Sequence, residues 1–479
     1  MVKDLTEGKP ARLIIAFALP LFVGNVFQQL YSMVDTIIVG QTISTQALAG
    51  VGATGAISFL VLGFVQGMTA GFAIMTSQRF GAKDGDGVKK SVAAAMVLSV
   101  VMSAVLTAVS VPTARLLLDL MNTPAGIIGY AEDYITTIYC GLVATVFYNM
   151  FSAFLRAVGD SKSPLCFLIL ASVINVGLDF LFILRFRMGV AGAGWATVVS
   201  QAISAIACLI HIIRKYPVLR IGKSDFKFGF GMAGRMIGLG LPMALQYSIT
   251  AIGIMIQQSA LNKLGETPVA AYAAANKIDS LAVQALVTIG TAVATYCGQN
   301  QGAGRYDRIK IGVRKSMQIA TAFAVIAGLG VIFLAKPLTH LFISSPSEEI
   351  LDLAQKYLFY QGVFYIALAA VYVYRNALQG MGYSALTMMA GVTELAMRAI
   401  AAYVLAAAMG FTGVCLSCPV AWLGADVFLL TTYFLLLRRR LSGKNGRGKS
   451  LPVPLSDADG TAKSPDTSDT VCASELPLQ

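Results

Sequence analysis

The stretch ARLIIAFALPLFVGNVFQQLYSMVDTIIVGQ, residues 11–41, decides the fold. From Arg12 to Gly40 it is apolar enough to cross a bilayer, and too long for the apolar core of a signal peptide. It reads as the first retained membrane helix, over about 12–39, with Pro20 in its first half and one acid, Asp35, near its far end. About 222 residues later the pattern returns: GLPMALQYSITAIGIMIQQ (240–258) aligns with ALPLFVGNVFQQLYSMVDT (18–36), Pro242 on Pro20.

The echo continues along the chain. SQRFGAKDGDGVKKS (77–91) aligns with GQNQGAGRYDRIKIGVRKS (298–316), and LRAVGDSKSP (155–164) with LQGMGYSALT (378–387). A period this long, spanning several helices, marks a duplicated half rather than a small solenoid repeat. Each half holds six expected spans. Because six is even, the halves enter the bilayer in the same orientation, with their symmetry axis along the membrane normal.

Composition agrees. Of 479 residues 56% are hydrophobic and 13% charged, and the mean hydropathy is +0.71. Soluble domains carry about 25% charged residues, and an outer-membrane barrel would show alternating segments of about ten residues. Spans are expected at 12–39, 47–76, 90–112, 130–157, 163–184, 190–214, 235–261, 268–298, 311–335, 351–379, 384–408 and 412–437. The net charge of +12 invites a nucleic-acid reading. The Lys and Arg residues, however, lie in loops between spans and in the C-terminal tail, so no nucleic-acid partner is expected. One set of loops, including both termini, holds about four times the positive charge of the alternate set. That bias puts both termini in the cytoplasm. Of the cysteines, Cys415 and Cys418 form a CxxC, but no second Cys or His pair completes a zinc site, and no cofactor is expected.

These readings give an all-α integral membrane protein of twelve transmembrane helices in two pseudo-symmetric six-helix lobes. The expected divisions are an N-terminal lobe over 1–213, a cytoplasmic linker over 214–235, a C-terminal lobe over 236–440 and a disordered tail over 441–479, rich in Ser, Asp, Pro and Lys.

Charged residues inside a bilayer are expensive and point to function. Asn175 and Asp179 stand at i, i+4 and share a helix face; Thr197 lies on the next span. Counted from the outer ends of their helices, Asp35, Asp179 and Thr197 lie within a few ångströms of one depth at about 1.5 Å per residue. Such oxygens at one level suit a hard cation, and two close carboxylates suit a shared proton. The structural alternative is that Asp35 and Asp179 cap helix ends or bond neighbouring helices. Gln28 and Tyr31 fall on the Asp35 face, where they would line a cavity or pack in the core. Pro20 and Pro242 permit matching kinks, active or passive.

The second half keeps none of this cluster: Gln257, Arg398 and Ala402 stand opposite Asp35, Asn175 and Asp179. Its own feature is Glu394 with Arg398 at i, i+4, either an intrahelical ion pair or an acid on the cavity wall that attracts cationic substrate. Lys277, Asp279, Arg375 and Asp426 read as interhelical or interfacial polar contacts.

With Pro20 and Asp35, Asn175 and Asp179, Thr197, and the QRFGAKD loop with its repeat, the chain resembles the multidrug and toxic compound extrusion (MATE) family from about Arg12 to Arg440. The resemblance implies a V-shaped pair of lobes that exchanges sodium ions or protons for organic, often cationic, drugs. It implies that Asp35, Asn175, Asp179 and Thr197 form the cation site, sodium-binding if sodium is the coupling ion. It places Gln28 and Tyr31 near the drug pocket, with Glu394 as a further substrate-binding candidate. Some members carry an acid about eight residues after the second proline; PMALQYSIT (242–250) has none, which favours coupling in the N-terminal lobe. The expected setting is the bacterial plasma (inner) membrane, multi-pass, with a small organic substrate and the lipid bilayer as partners and a monomeric chain.

Two other classes remain in view. A lipid-linked saccharide flippase of related fold would need a cavity rich in Lys and Arg, whereas few basic residues lie inside spans. A membrane enzyme is disfavoured because HExxH, GxSxG and paired Asp-rich motifs are missing from the sequence.

Overall fold

The computed structural model describes residues 4–341 and 346–442; within them the secondary structure is helical, without a strand. The expected tail from 443 onward lies outside these residues.

The N-terminal lobe holds α1 (Pro10–Thr42), α2 (Thr45–Ala53), α3 (Gly55–Gly81), α4 (Gly85–Leu120), α5 (Ala125–Cys140), α6 (Leu142–Ala157), α7 (Lys162–Asp179) and α8 (Gly189–Lys215). The C-terminal lobe holds α9 (Phe230–Asn262), α10 (Glu266–Gly302), α11 (Tyr306–Phe333), α12 (Ala335–His340), α13 (Glu348–Gly380), α14 (Ser384–Ile400), α15 (Ala406–Met409) and α16 (Phe411–Ser442). Among the described residues, eleven helical spans are long and apolar enough to cross a membrane, and the pair α5–α6, bent by 54°, makes the twelfth.

Local chemistry explains where these helices depart from the sequence expectation. The second span is broken at Thr54, and Ser44 caps α2 by accepting a hydrogen bond from the Ala47 amide. The fourth span bends at Gly141, where the Val198 side chain fills the space a Cβ would need. Asp84 caps α4 through the Gly87 amide at 2.8 Å, so that helix starts five residues before the expected 90 and runs on through Pro112 to Leu120.

The two lobes exchange the first halves of their leading helices. On α1, Leu13, Ile14 and Phe17 pack into the core of the C-terminal lobe with Tyr296 and Val313. Beyond Pro20, Ile38 and Val39 pack instead with Ala47, Ile183 and Val190 of the N-terminal lobe. On α9, Met232, Met236 and Ala244 join Val65, Phe72 and Phe151 of the N-terminal lobe, whereas Ala260 and Leu261 lie in the C-terminal core. Pro20 and Pro242 stand inside these two crossing helices. A proline deletes one backbone hydrogen bond and lowers the resistance to bending.

The lobes meet most closely towards the face that carries the basic loops. Gly67 and Gly71 on α3 lie against the backbone of α9 at Ala244 and Gly240, too close for a Cβ. At the ends of α3 and α10 the contact is reciprocal: Gly81 packs on the Gln299 backbone, and Gly302 on that of Gln78. Gln78 Nε2 donates to the Gly380 carbonyl and Gln299 Nε2 to the Ala157 carbonyl, both at 2.9 Å. The segment before α1 completes this closure. Gln299 Oε1 accepts from the Leu5 amide at 2.8 Å, Asn300 Nδ2 donates to the Leu5 carbonyl, and Arg308 donates to the Gly8 carbonyl at 3.0 Å. Leu5 and Thr6 are buried there.

Candidate cation site and the charged core of the second lobe

The N-terminal lobe gathers its acids at one place. Asp35 comes from the second half of α1, Asn175 and Asp179 from the last turns of α7, and Thr197 from the third turn of α8. Asn175 and Asp179 are fully buried and Asp35 is 7% exposed. The Asp35 and Asp179 carboxyl groups lie within hydrogen-bonding reach of one another. Thr197 Oγ1 accepts from Asn175 Nδ2 at 3.3 Å and meets the Tyr31 hydroxyl at 3.4 Å.

The acceptors outnumber the donors. Asp35 Oδ1, Asn175 Oδ1 and both carboxylate oxygens of Asp179 are buried without a hydrogen-bond partner. Buried acceptors are nearly always satisfied in native proteins, and a pair of adjacent carboxylates repels unless a positive charge lies between them. This set of hard oxygens suits a proton or a small hard cation.

Two features of the site were not read from the sequence. Tyr134 on α5 lies within electrostatic range of Asp35, Asp179 and Tyr31; in sequence it is one aromatic among many. The chain after Asp179 widens into a π-helical turn, Phe180–Arg185. A second π-helical turn, Ala401–Leu405, follows α14 at the matching place of the other lobe. Such turns recur at functional sites, and their composition carries no signature that pattern reading detects. Tyr31 joins the site, while Gln28, about one turn earlier on α1, is exposed.

The C-terminal lobe is built differently. Glu394 on α14 accepts from Arg375 on α13 at 2.5 Å and from Arg398, one turn along α14, at 2.7 Å. All three side chains are at most 11% exposed. The intrahelical pair expected from the i, i+4 spacing is therefore present, and a second guanidinium from another helix joins it. The Gln246 side-chain amide on α9 lies 3.1–3.2 Å from the other nitrogens of Arg375. Asp279 accepts from the Tyr365 hydroxyl at 2.7 Å. Asp426, on α16, lies within electrostatic range of Arg375 and Glu394 and keeps one buried oxygen without a partner.

A two-lobed bundle of membrane-spanning helices, with buried charge in each lobe and a proline inside each of the two helices that interlock the lobes, defines a membrane transport protein rather than an enzyme. The family model MatE matches residues 20–181 and again 242–404, one match per lobe, and the chain belongs to that family, the multidrug and toxic compound extrusion transporters. It is 29% identical over 383 residues to the "Probable multidrug resistance protein YpnP" of Bacillus subtilis, covering 79% of this chain and 84% of that one. To the "FAD transporter" of Shewanella oneidensis it is 23% identical, over 78% of this chain and 83% of the other. Among solved structures, the fold matches an "outward-facing conformation of a multidrug resistance MATE family transporter" with TM-score 0.85 at 22% identity, covering 92% of this chain and 98% of that chain.

Proposed function

We propose that the protein is a secondary active efflux transporter. It exports small organic compounds, cationic ones among them, in exchange for a proton or a sodium ion held at the Asp35–Asp179 cluster. The observation that carries this reading is the set of four buried acceptor oxygens with no donor, on two helices that belong to one lobe.

The geometry supports this exchange. With a positive ion in place, α1 and α7 are drawn together at Asp35 and Asp179. Without it the two carboxylates repel, and the second half of α1 is pushed from α7. Because the first half of α1 is packed in the opposite lobe, a bend near Pro20 changes the angle between lobes. That is alternating access by rocking about the interlocked helices, as parallel repeats allow. The basic face, taken as cytoplasmic from its charge, is the closed one here, and the names of the relatives support multidrug efflux as the task. A membrane potential of 100 mV supplies about 2.3 kcal/mol per net charge moved, roughly a fifty-fold substrate gradient for each net positive charge that enters; a one-for-one swap of monovalent cations moves none and is driven by the coupling ion's own concentration gradient.

The test is accumulation of a fluorescent cationic dye in cells expressing the wild-type chain, Asp35→Asn or Asp179→Asn at equal membrane abundance. The reading expects low accumulation with the wild type and accumulation near the vector control with either variant. Wild-type efflux from both variants removes the coupling site.

A further inference from the structure

We propose that the segment joining the lobes, 216–229, with the helix ends that flank it, is a docking surface for anionic lipid headgroups in the leaflet on the basic side. This surface lies at the other end of α8 from Thr197 and takes no part in the antiport reading.

The charge there is largely unspent. Six basic residues and one acid fall within 214–235. The acid serves its own turn: Asp225 accepts from the Gly222 amide at 2.7 Å. Arg220 is also used locally, since it folds back on the end of α8 and donates to the Ile213 and Arg214 carbonyls. The other five, Arg214, Lys215, Lys223, Lys227 and Arg235, enter no ion pair among the described residues. All of these except Arg235 are exposed. Clustered Lys and Arg immediately outside a membrane helix are drawn to an anionic leaflet, because they stand within a Debye length of its phosphates.

Charge alone would fit any polyanion; the apolar residues and the placement select a bilayer. Phe226 is 46% exposed and Phe230 98% exposed, one on either side of Lys227. A phenylalanine left in water forgoes the stabilisation of burial, whereas among headgroups and upper acyl chains its ring is covered. The flanking helices fix the depth. α9 has 33 residues, about 50 Å at 1.5 Å per residue, against a hydrocarbon core of about 30 Å. Arg235, in its second turn, is too costly to bury in hydrocarbon, so the start of α9 lies at headgroup level. The segment is also held as a platform. Tyr216 and Leu219 are 2% exposed, Val218, Ile221 and Phe228 pack with them on the N-terminal lobe, and the short turns Pro217–Leu219 and Lys223–Phe226 lie against α4. A surface ordered beforehand loses little conformational freedom on binding.

The experiment is deuterium exchange of peptides covering 216–229 in the purified full-length protein, in nanodiscs of phosphatidylcholine alone or mixed equally with phosphatidylglycerol. One basic residue at an anionic surface strengthens association about fivefold, so exchange is expected to be at least about fivefold slower in the mixed discs. High salt should erase the difference. Lys223→Gln with Lys227→Gln should abolish it, and Phe226→Ser with Phe230→Ser should reduce it. Lys310→Gln with Arg314→Gln, an equal charge loss on the exposed first turns of α11, should leave it intact. Equal exchange in the two discs, a difference that survives loss of both linker lysines, or one lost equally with Lys310 and Arg314 overturns the surface. Indifference to the phenylalanine variant overturns it as well. So does protection in phosphatidylcholine discs by inorganic phosphate, a short oligonucleotide or an acidic peptide with none from phosphatidylglycerol, which assigns the charge to a soluble anion.

Discussion

Asp35 on α1 and Asp179 on α7 face one another within hydrogen-bonding reach, in a lobe interior where neither meets a basic side chain among the ion pairs of the described residues. Two acids so placed need a proton or a metal cation between them. Asp35→Asn supplies an amide donor to Asp179 and removes one charge. It should leave folding and insertion intact and reduce cation-driven efflux at least tenfold. Measuring efflux against membrane abundance separates the two effects.

Pro20 divides α1 into a part packed in one lobe and a part packed in the other. Pro20→Ala restores a backbone donor, and with it the chance of a straight, stiffer helix. The expected result is equal or higher thermal stability with several-fold slower efflux. Pro242→Ala, in the mirrored position on α9, should behave similarly. A variant that is stable and transports at the wild-type rate would show that the proline is passive.

Gln299 bridges three pieces of structure: it accepts from the Leu5 amide, donates to the Ala157 carbonyl of the other lobe, and packs on Gly81. Gln299→Ala removes both hydrogen bonds and leaves buried partners unsatisfied, a loss of about 1–3 kcal/mol for each group. It should weaken closure of the basic face. Cysteines introduced into the basic-side portion of the lobe interface should then react with a membrane-impermeant thiol reagent faster than in the parent.

Asp160, in the turn between α6 and α7, accepts from the Lys162 and Ser163 amides at 2.9 and 3.1 Å and from the Tyr216 hydroxyl at the start of the interlobe linker. Burial raises its pKa, but the bonds from Ser163, Tyr216 and Lys162 together outweigh it and hold the group below the usual carboxylate value. A carboxylate with a depressed folded pKa stabilises fully above its unfolded value, near 3.9, and that stabilisation is lost as pH falls through the folded pKa. Tyr216→Phe should lower stability by about 1–3 kcal/mol at neutral pH, and the gap from wild type should shrink only below about pH 4. Thermal unfolding of the solubilised protein at several pH values checks both the size and the sign.

Much of this architecture was legible because a bilayer leaves few options: long apolar runs must be helices. The gathering of Asp35, Asn175, Asp179 and Thr197 also followed, since i, i+4 spacing and equal depth are nearly one-dimensional arguments. What escaped was three-dimensional. Tyr134 approaches the acids from α5 with no fixed spacing to any of them. Arg375 reaches Glu394 from α13, nineteen residues earlier in sequence, so the acid that reads as a cation attractor is held by two guanidiniums. The exchange of half-helices between lobes was hidden because Leu13 and Phe17 look like any apolar residues; only packing shows which core they join.

The most direct test of the central claim is dye efflux from vesicles reconstituted with purified protein, with sodium and proton gradients imposed one at a time. The wild type should export dye when at least one inward cation gradient is present, and Asp35→Asn should not respond to either. Equal, gradient-driven efflux from the wild type and Asp35→Asn would contradict the account.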